Sequence, residues 1–284
     1  MTEFDQIVIG KASVPSLILT ILFMTAIPVV GFLFWRRKNR ERTHLGYCIA
    51  GAIGFIVSAR VLELGVHYFC ILAENPVSRF INGNTVAYVV YGCSMAGIFE
   101  ECGRYVILKY ILKKNRTWEN AVLYGIGHGG IEILTAVLPL IVTYLVIAIL
   151  FSAGNTEQAL RTLQITEETA AAALPTVQTV AAFDYAAMAL NVLERLLAMI
   201  VHIGFSVLVF YGIQNDRKGC LPLAILLHML VDTFAGLYQR GVLPLWSVEV
   251  WAAVCTAGIL FIALKLYKKM KAPCPSEIDS QDKA

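Results

Sequence analysis

Residues 118–151 read WENAVLYGIGHGGIEILTAVLPLIVTYLVIAILF. Past Ala121 the run holds only His128 and Glu132 as side chains that carry charge near neutral pH. At about 1.5 Å of rise per helical residue such a run outspans a hydrocarbon core of roughly 30 Å, so it predicts a membrane-crossing helix that is tilted, kinked or continued beyond the bilayer. Similar runs lie on either side, at roughly 14–35, 45–73, 85–112, 184–212, 221–238 and 244–267. The expected fold class is therefore all-α: a polytopic helical membrane protein of about seven transmembrane helices. Composition agrees, because 58% of the 284 residues are hydrophobic and 15% charged, against about 45–50% and 25% in soluble domains. Collagen, a disordered chain and a disulfide-rich secreted domain are excluded. A net charge of +3 gives no reason to expect a nucleic-acid partner, and none is expected.

Basic residues in short connections orient such a protein. Arg36, Arg37, Lys38, Arg40, Arg42, Lys113, Lys114, Arg116, Arg217, Lys218, Lys268, Lys269 and Lys271 fall on one side. Lys11, Arg79, Arg161 and Arg240 fall on the other. Thirteen against four places the N-terminus outside and the C-terminus in the cytoplasm. The first run exceeds a 7–15-residue signal core and is flanked by Glu3 and Asp5, so it is read as a span and not a signal peptide. Segment 152–183 is expected to be an external loop, with helix-forming pieces broken at Pro175. One membrane-embedded domain, 1–271, is expected, with a motif core over 85–240 and a disordered cytoplasmic tail, 272–284. The seven cysteines are odd in number and show no Cys-x-x-Cys spacing, and they read as inert thiols.

An ionisable group inside a membrane is costly and normally marks function. The third run carries Glu100, Glu101 and Arg104, with the arginine at i+4 and i+3 from the two acids. The fourth carries His128 and Glu132, the fifth His202 with Ser206, and the sixth His228 with Asp232, each pair at i,i+4. Counting rise from the inner helix ends puts all of them roughly 10–20 Å deep. Four helices therefore present acid, base and cation at one level, which implies a polar chamber in the inner half of the bilayer. Arg60, Glu63 and His67 on the second run form a separate row. That row is read as a structural ion network joining two helices, with Glu194 and Arg195 as candidate partners.

A carboxylate beside a histidine can activate water as a general base, and a second His/Asp pair can donate hydrogen bonds to an oxyanion. The same chamber could hold Zn²⁺, with His128, His202 and His228 joined by Glu132 or Asp232. No HExxH is present, since Gly-Gly-Ile-Glu follows His128. Intramembrane acids and histidines also serve proton relays, so a transporter is the non-enzyme alternative, although no inverted repeat is visible.

Glu100-Glu101-x-x-Arg104, Tyr124-x-x-x-His128-x-x-x-Glu132, His202 and His228-x-x-x-Asp232, in order on successive helices, resemble the CPBP/PrsW/YhfC superfamily of intramembrane proteases. That group includes the type II CAAX prenyl proteases, and the order and length look closest to its bacterial YhfC branch. The resemblance covers roughly 85–240. It implies that Glu100 activates the water with help from His128, that His228 and Asp232 form the oxyanion hole, and that Arg104 orients the acids. It also implies a bacterial plasma (cell inner) membrane location. The chain departs from CAAX proteases in the spacing of Arg104, in Tyr124 where Phe is usual, and in Asp232 where Asn is common. It carries both His128, as in CAAX proteases, and Glu132, as in PrsW-like members.

The expectation is thus an intramembrane endopeptidase acting on a membrane-embedded or membrane-adjacent polypeptide. Its catalytic residues are Glu100, Glu101, Arg104, His128, Glu132, His202, His228 and Asp232. The preferred mechanism is glutamic and needs no cofactor, and a zinc-dependent protease is the runner-up. A proteolytically inactive immunity or chaperone-type protein is a further alternative.

Overall fold

In the computed structural model residues 2–271 are described, and among them every regular element is helical. The expected tail, 272–284, lies outside the described residues, and Cys274 with it. The main helices are α1 (Ser13–Lys38), α2 (Leu45–Leu72), α3 (Pro76–Gly83), α4 (Thr85–Val106), α5 (Trp118–Ser152), α6 (Thr156–Thr162), α7 (Glu167–Ala181), α8 (Tyr185–Gln214), α9 (Cys220–Gln239) and α10 (Leu245–Lys271). Six of them, α1, α2, α5, α8, α9 and α10, are long and apolar enough to cross a membrane. The remaining expected crossing is α4, whose glutamates and arginine lower its apolarity. Many large side chains on the outward faces of these helices, Phe34, Phe69, Leu226 and Phe261 among them, are exposed. Such faces suit lipid, and the chain is a multi-pass integral membrane protein.

Several of the long helices are interrupted by wide turns. After α4, the Leu112 N–H bonds back five residues to the Ile107 carbonyl at 2.9 Å. Within α5 a wide turn over Ile133–Val137 precedes Pro139. Proline has no N–H to give to the preceding turn, so this is where the long fourth run departs from regular helix.

The chain divides into two compact units. The first comprises residues up to Gly31 together with Gly130–Leu196. Its core gathers Phe4, Leu17, Ile141, Ile147, Phe151, Leu160, Val177 and Val180. The Ser13 hydroxyl and the Gly10 N–H both donate to the Ala181 carbonyl at 3.0 Å. The expected loop 152–183 is largely helical here, and its break does not fall at Pro175. Pro175 sits inside α7, while the chain turns between α6 and α7, where Gln164 takes a φ of 56°. Asn155 caps α6 by accepting the Gln158 N–H at 2.9 Å. The Thr169 hydroxyl accepts the Thr166 N–H at 2.9 Å at the start of α7. Short polar side chains thus set both helix starts, and the Leu163–Thr166 connection is the true breakpoint.

The second unit comprises Phe32–Gly129 and the chain from Leu197 onward. Its core includes Tyr47, Leu108, Leu123, Tyr124, Phe205, Leu208 and Phe210. Two glycines of α5 are required by close helix crossings. A Cβ on Gly127 would lie 2.0 Å from the Cys48 carbonyl oxygen of α2, and one on Gly125 would lie 2.6 Å from Ile203 Cα of α8. Small residues let transmembrane backbones touch in this way, and the contacts bring the polar faces of α5 and α8 together.

Candidate active site

Glu100, Glu101, Arg104, His128, His202, Ser206, His228 and Asp232 all lie in the second unit, and their side chains converge. All except Asp232 are buried. Asp232 keeps 36% of its side chain exposed.

Arg104 organises one half of the cluster. Its Nε donates to Glu101 Oε2 at 2.9 Å, and its Nη2 donates to Glu101 Oε1 at 3.1 Å. Nη2 also reaches His202 Nδ1 at 3.2 Å, while Nη1 donates to the His202 carbonyl at 3.0 Å and to the Ser206 hydroxyl. A guanidinium has five N–H groups, and these five contacts account for them. The side chain has no exposed surface. The bidentate grip on Glu101 and the three further acceptors are what make a fully buried cation tenable.

His228 meets a carboxylate at each ring nitrogen. Nδ1 donates to Glu101 Oε1 at 2.9 Å, and Nε2 lies 3.5 Å from Asp232 Oδ2. Phe205 stacks on the ring with centroids 5.1 Å apart and fixes its plane. Phe55 meets His128 edge-on at 5.3 Å.

The centre of the cluster is Glu100. His128 Nε2 donates to Glu100 Oε2 at 3.0 Å. His202 Nδ1 and His228 Nε2 lie 3.9 and 4.0 Å from the same oxygen. One carboxylate oxygen thus sits among three imidazoles, each from a different helix. Glu100, His128 and His202 offer donor atoms all within 4.8 Å of one another. An oxygen among imidazole nitrogens is the mixture zinc accepts. Donors around a tetrahedral zinc stand about 3.4 Å apart for metal–ligand distances of about 2.0–2.1 Å. The cluster is slightly more open than that, within the reach of side-chain rotation.

Distance alone selects His202 beside Glu100 and His128, but hydrogen bonding favours His228. Arg104 can only donate, so His202 Nδ1 must accept and its lone pair is already shared. His228, by contrast, gives its Nδ1–H to a carboxylate and keeps Nε2 toward Glu100. That is the arrangement in which a metal-binding histidine is usually held.

Glu132 belongs to the first unit, where its carboxylate accepts from Arg195 Nη1 at 3.1 Å. Arg195 also pairs with the neighbouring Glu194. The row on α2 lies in the second unit. His67 Nε2 is 3.2 Å from Glu63, and its Nδ1 is 2.9 Å from the Tyr91 hydroxyl of α4. Two residues that complete the active cluster were less visible in sequence. Ser206 is signalled only by its i+4 spacing from His202, and Phe205 by nothing beyond its apolar context.

A family model described as "YhfC intramembrane metalloprotease" matches residues 23–253. A relative from Bacillus subtilis (strain 168), named "Uncharacterized membrane protein YhfC", is 35% identical over 243 residues, which is 86% of this chain and 90% of the relative. No solved structure matches.

Proposed function

Because the chain belongs to the YhfC intramembrane metalloprotease family, we propose that it hydrolyses a peptide bond of a membrane-embedded or membrane-adjacent polypeptide at the Glu100 cluster. The observation that carries this reading is the single Glu100 oxygen within 4.0 Å of three imidazole nitrogens. Zinc would be held by Glu100, His128 and His228. There it would supply the Lewis acidity and the activated water that metal-dependent hydrolysis uses. Catalytic zinc sites keep three protein ligands and one open position, whereas a fourth ligand would close the site. Arg104, by engaging His202 Nδ1, would keep that position open.

The remaining work falls to the chain's own groups. His202 is held at Nδ1 by Arg104, so its ring orientation beside Glu100 is fixed. Asp232 is the one partly exposed carboxylate of the cluster, and it is placed to take a proton from water and return it to the leaving amine. Glu101 orients His228, and Arg104 holds Glu101. The buried surroundings exclude bulk water and strengthen each of these interactions.

The metal-free mechanism expected from sequence is the second reading. It is favoured by the 3.0 Å His128–Glu100 contact, which is an ordinary hydrogen bond and would make Glu100 the base with His128 assisting. Both readings require Glu100. Glu100→Gln is expected to lower hydrolysis of a model single-span polypeptide at least about a hundredfold while the protein remains folded. Undiminished cleavage by this variant would overturn both. Activity that survives exhaustive chelation, in protein free of zinc, would leave only the metal-free reading. Solute transport in proteoliposomes without any cleavage would favour the transporter.

A further inference from the structure

Beside Asp232 a cavity of about 430 Å³ opens between α2, α4 and α9. Its wall is mostly apolar, built from residues such as Leu64, Ile71 and Val89. Polar groups gather at a few points. His67 bonds the Tyr91 hydroxyl, and the Tyr88 hydroxyl donates to Gln239 Oε1 at 3.2 Å, leaving the Gln239 amide nitrogen as a donor. The volume falls within the range of ligand sites, and an apolar lining with few oriented polar groups is their usual construction. Asp232 belongs to this wall and also lies 3.5 Å from His228 Nε2, so the cavity adjoins the Glu100 cluster through Asp232.

Gly92 marks this as space left open within the fold. It lines the cavity, and a Cβ built on it would meet nothing within 4 Å. A side chain at position 92 would therefore project into the cavity.

We infer that this cavity is the specificity pocket of the enzyme, receiving a large apolar side chain of the substrate polypeptide next to the scissile bond. The inference rests on the hydrolytic reading above and adds to it the class of substrate residue. The occupant is a polypeptide side chain because the cavity ends at a group of the reaction centre, which a substrate residue next to the cleaved bond must reach. The Gln239 amide and the Tyr88 and Tyr91 hydroxyls lie in the same wall and would supply partners for the substrate backbone. An apolar pocket separates side chains that differ by one methylene by roughly 10–200-fold. Leucine or phenylalanine should therefore exceed alanine by at least about tenfold.

The test uses the full-length protein in proteoliposomes. Model single-span polypeptides carry Ala, Leu or Phe at successive positions of one half of the span, and products are read by mass spectrometry. In parallel, a photoreactive benzoylphenylalanine replaces Gly92 and the sample is illuminated with the same polypeptides. Wild-type protein should cut beside Leu or Phe at least about tenfold faster than beside Ala, and Gly92→Trp should collapse that ratio below about threefold. The photoreactive group should capture the polypeptide at one or two positions. An unchanged ratio in Gly92→Trp overturns the inference, as does capture of lipid alone. If wild-type protein cuts nothing while the polypeptide is still captured, the hydrolytic reading fails and the pocket stands. If cleavage proceeds with a preference that ignores position 92, the pocket fails and the hydrolytic reading stands.

Discussion

Arg104 offers the sharpest stability experiment. It is fully buried and spends all five N–H groups on Glu101, His202 and Ser206. Arg104→Met keeps much of the volume but strips Glu101 of its bidentate partner, leaving a buried carboxylate with the His228 N–H. Removing one partner of a buried ion pair costs about 3–5 kcal/mol, and that range is expected here. Arg104→Lys keeps the charge, but an ammonium has three N–H groups and no fork. At least two of the five contacts are lost, so the expected cost is about 2–4 kcal/mol. The double variant Glu101→Met with Arg104→Met removes both charges, and replacing a buried pair by apolar groups is often close to neutral. It should therefore regain at least half of the single-variant loss, a coupling of about 2–3 kcal/mol. Denaturant unfolding of the detergent-solubilised protein measures all three. An Arg104→Met cost under about 1 kcal/mol, or strictly additive single-variant losses, would refute the view that this pair scaffolds the site.

Other positions separate chemistry from architecture. Glu132→Gln should cost about 1–3 kcal/mol of stability, because it weakens the ion pair with the part-buried Arg195; denaturant unfolding checks this. Gly127→Val should keep the protein from accumulating in membranes, since its Cβ would sit 2.0 Å from the Cys48 carbonyl and the α2–α5 crossing could not form; normal yield and stability would contradict the crossing. Zinc measured by mass spectrometry in purified protein should fall below about one tenth per chain in His128→Ala and His228→Ala. It should be largely retained in His202→Ala, and the reverse order would show that His202 is the third ligand.

The helices were legible because apolar runs and basic connections are written in the local sequence, so six of the seven expected spans are apolar helices with ends within a few residues of expectation. Pro175 misled because it is carried inside α7, whereas the helix starts on either side of the actual break are marked by side chains that each take a backbone N–H, Asn155 and Thr169. The residues of the cluster were legible because charge is scarce in a membrane chain. Their pairing was not, since spacing along one helix says nothing about which neighbour a side chain faces. The Arg195 partner of Glu132, sixty-three residues along the chain, could not be read from spacing on α5. The cavity at Gly92 left no trace in the sequence, because an empty volume is a property of three helices at once.

Equal depth explains why four motifs could meet, but not why they do. Helix axes in ordinary contact stand about 8–10 Å apart, and closer crossings shorten the reach that acids and imidazoles need to share one oxygen. The Gly125 crossing onto Ile203 brings α5 and α8 into backbone contact one turn from His128 and next to His202, and their rings stand 4.8 Å apart. Gly97 does the same for α4 and α9, where a Cβ would lie 2.9 Å from the Ile225 carbonyl, one turn from Glu100 and His228. The glycines at these crossings thus help turn a common depth into a site. Enlarging either one should damage the chemistry before it unfolds the bundle.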